Sequence, residues 1–190
     1  MTAQYYYLVA SLPSLVFSAP AAWGLAAFVE ECRRHLAEDD QRELDALLAA
    51  QPESVATDFS RRWLHADRQL RNAIARARAL RLGVDEKKYV RPHEGFRVDV
   101  EAAVDDAYSR PNPLERELAL GRFRWSLADE LSAGDPFALP AVLAYGVKLQ
   151  INEHWQSLTP ERGRERLEEM LGVVGVSSDE VAGWAGLAQL

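Results

Sequence analysis

The sequence has one cysteine among its 190 residues, Cys32, and lacks the familiar phosphate-loop and serine-nucleophile motifs. A single cysteine excludes an intrachain disulfide and any zinc site built from several cysteines. The glycine-rich phosphate loops GxxxxGK[ST] and GxGxxG are missing, and so is the serine-nucleophile pattern GxSxG. These absences predict a protein that is not an enzyme, with no catalytic residue, no cofactor site and no metal site.

Charged side chains are missing from residues 1–29. A signal peptide would begin with Lys or Arg, and a membrane-spanning helix needs about 20 continuous apolar residues. Neither occurs here, because Pro13 and Pro20 interrupt the apolar run. We therefore expect a buried, extended N-terminal segment in a soluble protein without a membrane span. The lone cysteine fits a reducing cytoplasm.

Helical periodicity and helix end signals recur along the chain and predict an all-α bundle of seven or eight helices. The predicted helices are 20–37, 39–50, 58–82, 99–107, 114–132, 137–158, 160–171 and a last one from Ser177. Residues 5–11 fit a short strand, an extended lead-in or a first helical turn. The break Arg110-Pro111-Asn112-Pro113 divides the bundle into halves 1–110 and 111–190, as one compact domain or two helical subdomains.

The helix from Asp58 to Leu82 is the organising element of this bundle. An apolar seam recurs along it at steps of four and three, through residues Phe59, Trp63, Ala66, Leu70, Ala73, Ala77 and Leu80. Its other faces carry seven arginines against two aspartates. The seam predicts burial against other helices, and the arginines off the seam are the candidates for function.

This helix has a net charge of +5 in a chain whose net charge is −7, and residues 30–57 contribute −5. The arginines therefore pair with acids of their own chain, remain solvated, or meet an acidic partner. Nucleic acid is a further alternative, disfavoured because the rest of the chain is acidic and no aromatic residue follows Trp63 on the helix. The loop of residues 84–98 is long enough to contribute to binding.

The histidines suggest few candidate catalytic or metal sites. His93 and Glu94 are neighbours in the 84–98 loop and define an alternative enzyme site. His35 follows Glu31 by one helical turn, and these two residues could form half of a metal site. His35 also follows Cys32 by three residues, which allows a thiol–imidazole pair that could arise by chance. His154 lies on the apolar helix 137–158 and is expected to be an interior histidine.

Several stretches together resemble a family of short bacterial proteins of unknown function that are encoded beside V-type ATP synthase genes. The stretches are YYYLVASLPSL at the start, RNAIARARA in the basic helix, GVDEKKYVRP after it, and FRWSLADEL and PFALPAVLAYGVKLQINEHW in the second half. They span residues 5 to 155. Members of this family are similar to the C/d subunit of V/A-type rotary ATPases, an all-helical funnel without catalytic residues.

The resemblance implies a non-catalytic subunit or accessory protein that links the central stalk of such an ATPase to its membrane ring. Its partners would be other ATPase subunits, and its location would be cytoplasmic, peripheral at the inner membrane through the ATPase. The chain is much shorter than the C/d subunit and matches only part of that funnel. We expect Arg61, Arg68, Arg71 and Arg78 to bind the acidic partner.

Overall fold

A computed structural model describes residues 4–174, and the regular structure of this range is α-helical. Eight α-helices lie in the range, with short 3₁₀ turns at Pro52–Ser54 and Glu86–Lys88. The helices are α1 (Tyr6–Ser11), α2 (Leu25–His35), α3 (Glu38–Leu48), α4 (Asp58–Leu82), α5 (Val98–Ser109), α6 (Pro113–Leu131), α7 (Leu139–Ser157) and α8 (Pro160–Val174). No β-strand forms between residues 4 and 174, where extended pairing is limited to one bridge between Gln4 and Ala138. The predicted all-α class is confirmed.

The larger hydrophobic cluster surrounds α7. The first half of α4 packs there with α2, α3 and the C-terminal half of α6, and Phe28, Leu44 and Leu143 are fully buried. As expected of a mainly apolar helix, α7 is covered on most sides, because it contacts α2, α3, α4 and α6. The prediction that His154 is an interior histidine is wrong. This residue lies near the C-terminal end of α7, and its side chain is exposed.

A second, smaller cluster joins α4 to α5 and α6. Leu70 of α4 meets Val100 of α5 and Leu120 of α6, all at most 1% exposed. Because both clusters include α4 and α6, each draws on residues from both sides of position 110. A boundary between the halves 1–110 and 111–190 stays a prediction.

Both ends of α4 are where the sequence places them. The Thr57 side chain accepts the Ser60 backbone N–H at 3.2 Å. Gly83 ends the helix in the left-handed conformation, with φ 64°, and donates its N–H to the Ala79 carbonyl. These signals are local, and this is why the prediction of Asp58–Leu82 is confirmed.

The predicted seam of α4 holds in its first two thirds and is wrong at its C-terminal end. Phe59, Leu70 and Ala73 are at most 4% exposed, whereas Leu80 is 85% exposed. The neighbours of α4 change along its length, from the larger cluster around α7 to the smaller cluster with α5 and α6, so a single straight seam does not stay buried throughout. By the last turn Ala79 faces inward at 3% exposure, and Leu80 faces solvent.

Residues 5–11 take the helical alternative, since Tyr6–Ser11 forms α1. The next helix is shorter than expected. It begins at Leu25, after Gly24 as N-cap, and not at Pro20. The predicted start is therefore wrong by about one turn, and residues 12–24 form a non-helical connector.

The connector follows the surface of α7 and is fixed by that helix. Asn152, which is 1% exposed, donates to the Val16 carbonyl and accepts the Ser18 N–H, both at 2.9 Å. Glu153 accepts the Leu25 N–H at the start of α2. These contacts, rather than the proline signal, decide where α2 begins.

The helix predicted from Ser177 lies outside the described residues. Among residues 4–174, none of the helices has both the length and the apolar composition needed to cross a lipid bilayer.

Candidate interaction surface

The arginines of α4 have contacts on three neighbouring elements. None of their ion pairs within residues 4–174 involves an acid from residues 30–57. Their carboxylate partners lie on α4 itself, on α5 and on α6. The acidic segment before α4 is therefore not what neutralises this helix.

Two of the four predicted partner-binding arginines face the 84–98 loop or the solvent beside it. The side chain of Arg61 is exposed and has neither a hydrogen bond nor an ion pair with any residue that the structure describes. Arg68 is half-buried and donates to the Pro92 carbonyl at 3.3 Å. Arg61 is thus available to a partner, while Arg68 already fastens the loop.

The other two predicted partner-binding arginines, Arg71 and Arg78, lie nearer the C-terminal end of α4. Arg71 donates to Asp67 at 2.7 Å, with its side chain 67% exposed. Arg78 donates to the Tyr108 hydroxyl at 3.0 Å and lies 3.8 Å from the Glu117 carboxylate, with its side chain 62% exposed. Exposed pairs of this kind contribute little to stability, so both side chains remain open to a competing carboxylate. Their role in partner binding stays a prediction.

Arg76 has a structural role. It donates to both oxygens of Glu101 on α5 at 2.7 and 2.8 Å. Burial opposes ionisation of Glu101, but hydrogen bonds from Gln69 and Arg76 outweigh it and hold the pKa of this carboxyl below its ordinary value. The pair therefore joins α4 to α5.

Two buried amides of α4 hold the 84–98 loop. Gln69 and Asn72 are each 2% exposed. The Gln69 amide binds both the N–H and the carbonyl of Arg97 at 2.9 Å. Asn72 does the same with Arg91, at 2.9 and 2.7 Å. Each amide thus replaces the paired backbone bonds of a neighbouring strand, and the loop is fixed without regular structure.

The fixed loop presents apolar side chains to solvent. Tyr89, Phe96 and Val98 are 58%, 67% and 73% exposed. Their backbone is already ordered by α4, so the loop loses little further conformational entropy when a partner covers these side chains. This favours the loop as part of a binding surface.

A groove of about 570 Å³ runs beside the C-terminal half of α4. Its apolar wall is formed by Ile74, Ala75, Ala79, Leu82, Val84 and Tyr89. Its charged rim is formed by Arg71, Arg78, Arg124 and Glu117. Apolar residues with an arginine-rich edge are the composition that protein interfaces favour.

The alternative enzyme site is arranged differently from the sequence expectation. The structure brings Glu94 to His65 and not to His93: the Glu94 N–H donates to His65 Nδ1 at 3.0 Å, and His65 Nε2 lies 3.8 Å from the carboxylate. The cleft of about 470 Å³ beside them is lined by His65 and Glu94, while His93 is not part of its lining. Since the Glu94 side chain is 89% exposed, water solvates its carboxylate.

Cys32 and His35 do not form a thiol–imidazole pair. Cys32 is fully buried, and burial, aided by the Glu31 and Asp45 charges, raises the pKa of its thiol to about 12. His35 instead lies 2.9 Å from Glu31. In the part of the chain that the structure describes, no three His, Cys, Asp or Glu side chains are placed to hold a metal ion.

The loop-binding roles of Gln69 and Asn72 were missed from the sequence. Their only signal is position: they adjoin Leu70 and Ala73 of the buried seam, where a polar residue needs a hydrogen-bond partner. A long structureless segment follows the same helix, and it supplies the unpaired backbone groups.

Comparisons with protein-family models, with curated proteins and with solved structures give no significant match to this chain. The resemblance to the family encoded with V-type ATP synthase genes therefore stays a prediction from the quoted sequence stretches.

Proposed function

We propose that this chain is a non-catalytic subunit or accessory protein of a V/A-type rotary ATPase, similar to part of its C/d subunit. It binds other subunits between the central stalk and the membrane ring through α4 and the 84–98 loop. The sequence stretches quoted above suggest the ATPase. The observation that supports a binding role is the C-terminal half of α4, where exposed arginines border an apolar groove.

Charge supports a protein partner rather than nucleic acid. The arginines of α4 lie in a chain with a net charge of −7, and long-range repulsion would oppose the approach of a polyphosphate backbone. A protein partner can also cover the apolar groove with apolar side chains of its own, which a polyphosphate backbone cannot do.

Rigidity supports the same role. The loop beside the groove is fixed by Gln69 and Asn72, and α4 is part of both hydrophobic clusters. A subunit that transmits torque or holds a stalk needs a stiff connection between its core and its contact surface. In this protein the same helix supplies both.

Co-purification tests the proposal. The full chain, carrying an affinity tag, is expressed in its native organism and recovered from gently solubilised membranes at low and high salt. We expect stalk or ring subunits of the rotary ATPase to accompany it at low salt and to be released near 1 M salt, where the screening length falls to about 3 Å. Recovery of the chain without any ATPase subunit at low salt contradicts the proposal.

A further inference from the structure

Three arginines surround one tyrosine at the turn between α5 and α6. The guanidinium of Arg81 lies 5.0 Å from the Tyr108 ring centroid, and that of Arg116 lies 5.7 Å from it. Arg78 donates to the Tyr108 hydroxyl at 3.0 Å. The tyrosine thus holds three cations around a shallow pocket of about 300 Å³.

Neutral groups hold these cations in place. Arg81 donates to the Tyr108 carbonyl at 2.7 Å. Arg116 donates to the carbonyls of Arg110 and Pro111 at 2.6 and 3.0 Å. Carbonyl and hydroxyl acceptors fix a guanidinium without cancelling its charge. The arginines are therefore positioned but not neutralised.

One carboxylate among the described residues lies within ion-pair distance of the three, Glu117 at 3.8 Å from Arg78. Arg110, whose carbonyl anchors Arg116, pairs with Asp106 and adds no free charge. The pocket also includes Pro113, the first residue of the long helix α6, whose N-terminal dipole is positive. The pocket thus carries an excess of positive charge that favours carboxylates.

The arginine pocket continues the groove. Arg78, Leu82 and Glu117 line both depressions, so the apolar wall beside α4 leads into the charged pocket. Leu82 lies between them and is 74% exposed. The wall runs from Ile74 to Leu82, which is about 12 Å along a helix, or slightly more than two helical turns.

We propose that this continuous surface binds an amphipathic helix of a partner protein, with the apolar face of that helix in the groove and carboxylates at one end in the pocket of Arg78, Arg81 and Arg116. This deepens the proposed function, since it names the chemistry of the partner segment. Ala75, a small and only half-buried residue on the wall, allows the partner backbone to approach closely. Two turns of such a helix match the length of the wall, and leucine-sized side chains at four-residue spacing fill it.

A peptide titration tests the docking site. The probe is a synthetic helical peptide of about four turns with a leucine stripe and glutamates at its C-terminal end, and the matched probe carries lysines there. We expect micromolar binding of the glutamate peptide to the full chain, measured by fluorescence anisotropy, and at least tenfold weaker binding of the lysine peptide. Binding of both peptides with equal affinity, or of neither, overturns the proposal.

Variants locate the site. We expect Arg81→Glu to weaken the glutamate peptide at least tenfold and to strengthen the lysine peptide. Leu82→Asp is a second variant that cannot fail by unfolding the core, because its side chain is exposed; it should weaken both peptides. Arg33→Glu, an exposed arginine on α2, is the matched control and should change nothing. Thermal unfolding confirms that each variant is folded. Unchanged binding in both Arg81→Glu and Leu82→Asp overturns the proposal.

Other occupants give distinct outcomes that also overturn it. If residues 175–190 of this chain cover the groove, Trp184→Asp in the full chain will tighten peptide binding severalfold. If a second copy covers it, sedimentation will show a dimer that Leu82→Asp dissociates. If the site is for nucleic acid, an oligonucleotide will displace the peptide at equal concentration. None of these is expected.

The two proposals can fail separately. ATPase subunits that still co-purify with the Arg81→Glu and Leu82→Asp variants, together with absent peptide binding, would overturn the docking site alone. Peptide binding that follows the expected pattern in a chain never found with the ATPase would overturn the rotary-ATPase assignment alone.

Discussion

Replacing Gln69 by alanine tests whether a buried amide holds the 84–98 loop in place. The substitution removes three hydrogen bonds, two to the Arg97 backbone and one to the Glu101 carboxylate, each 2.9 Å long. Alanine keeps the Cβ, so apart from the amide group only one methylene is lost. The loss of stability therefore comes mainly from unpaired polar groups.

The magnitude follows from those three bonds. Each neutral bond contributes about 1 kcal/mol net, and the bond to an ionised carboxylate contributes about 1.5–3 kcal/mol. Water replaces part of this, because Arg97 lies only partly buried at the edge of the protein. We expect the free energy of unfolding to fall by about 2–3 kcal/mol, which shifts the urea midpoint by about 1 M for a chain of this size.

Urea unfolding measures the free energy, and amide hydrogen exchange locates the effect. The Arg97 amide should exchange faster. Amides in the middle of α7 should still exchange only when the whole protein unfolds. Gln156→Ala is the control, since this exposed side chain makes one hydrogen bond, to the Ser18 carbonyl at 3.0 Å. Its effect should stay within about 0.5 kcal/mol. If Gln69→Ala costs no more than this control, the loop is not held by the amide.

Acid unfolding and two glycine substitutions test other contacts of the fold. Glu43 and Glu101 have folded pKa values below their ordinary value of 4.5, so their ionisation stabilises the fold at neutral pH. This contribution is lost as the pH falls from about 4.5 through the folded pKa; Tm should drop steeply there, and less steeply in Glu43→Gln. Gly146→Ala would place a Cβ 2.9 Å from the Phe28 ring, so it should lower the free energy of unfolding by about 1–3 kcal/mol in urea titrations. On exposed α8, Gly163→Ala meets nothing within 4 Å and should raise it by about 0.5–1 kcal/mol; the same sign for both glycine variants would contradict the packing.

The structure confirms what local sequence signals specify. Asp58–Leu82 was predicted to the residue, because a polar cap and a C-terminal glycine act within one turn of the chain. On α3, Leu44 and Leu47 are spaced as on one face of a helix and are both buried, which is the burial that helical periodicity indicates. Such features depend on neighbours in sequence, which the sequence displays directly.

Contacts between distant residues were not predictable in this way. The start of α2 depends on Asn152 and Glu153, more than 120 residues away, and a proline signal at Pro20 could not reveal them. Likewise the arginine pocket depends on Tyr108, whose position beside α4 is set by the packing of α5. The sequence identifies Arg78 as a candidate for partner binding but does not show which residues surround it. The structure shows that Arg78 lines both the groove and the pocket.

Under the proposed function, α4 carries the partner surface of a rotary-ATPase subunit. The most direct measurement purifies the V/A-type ATPase from the native organism through a tag on a catalytic subunit, at low salt, and quantifies this chain by mass spectrometry. We expect a fixed ratio of the chain to the stalk subunits, reduced severalfold when the genomic copy carries Arg81→Glu. Absence of the chain from the intact complex at low salt would contradict the claim.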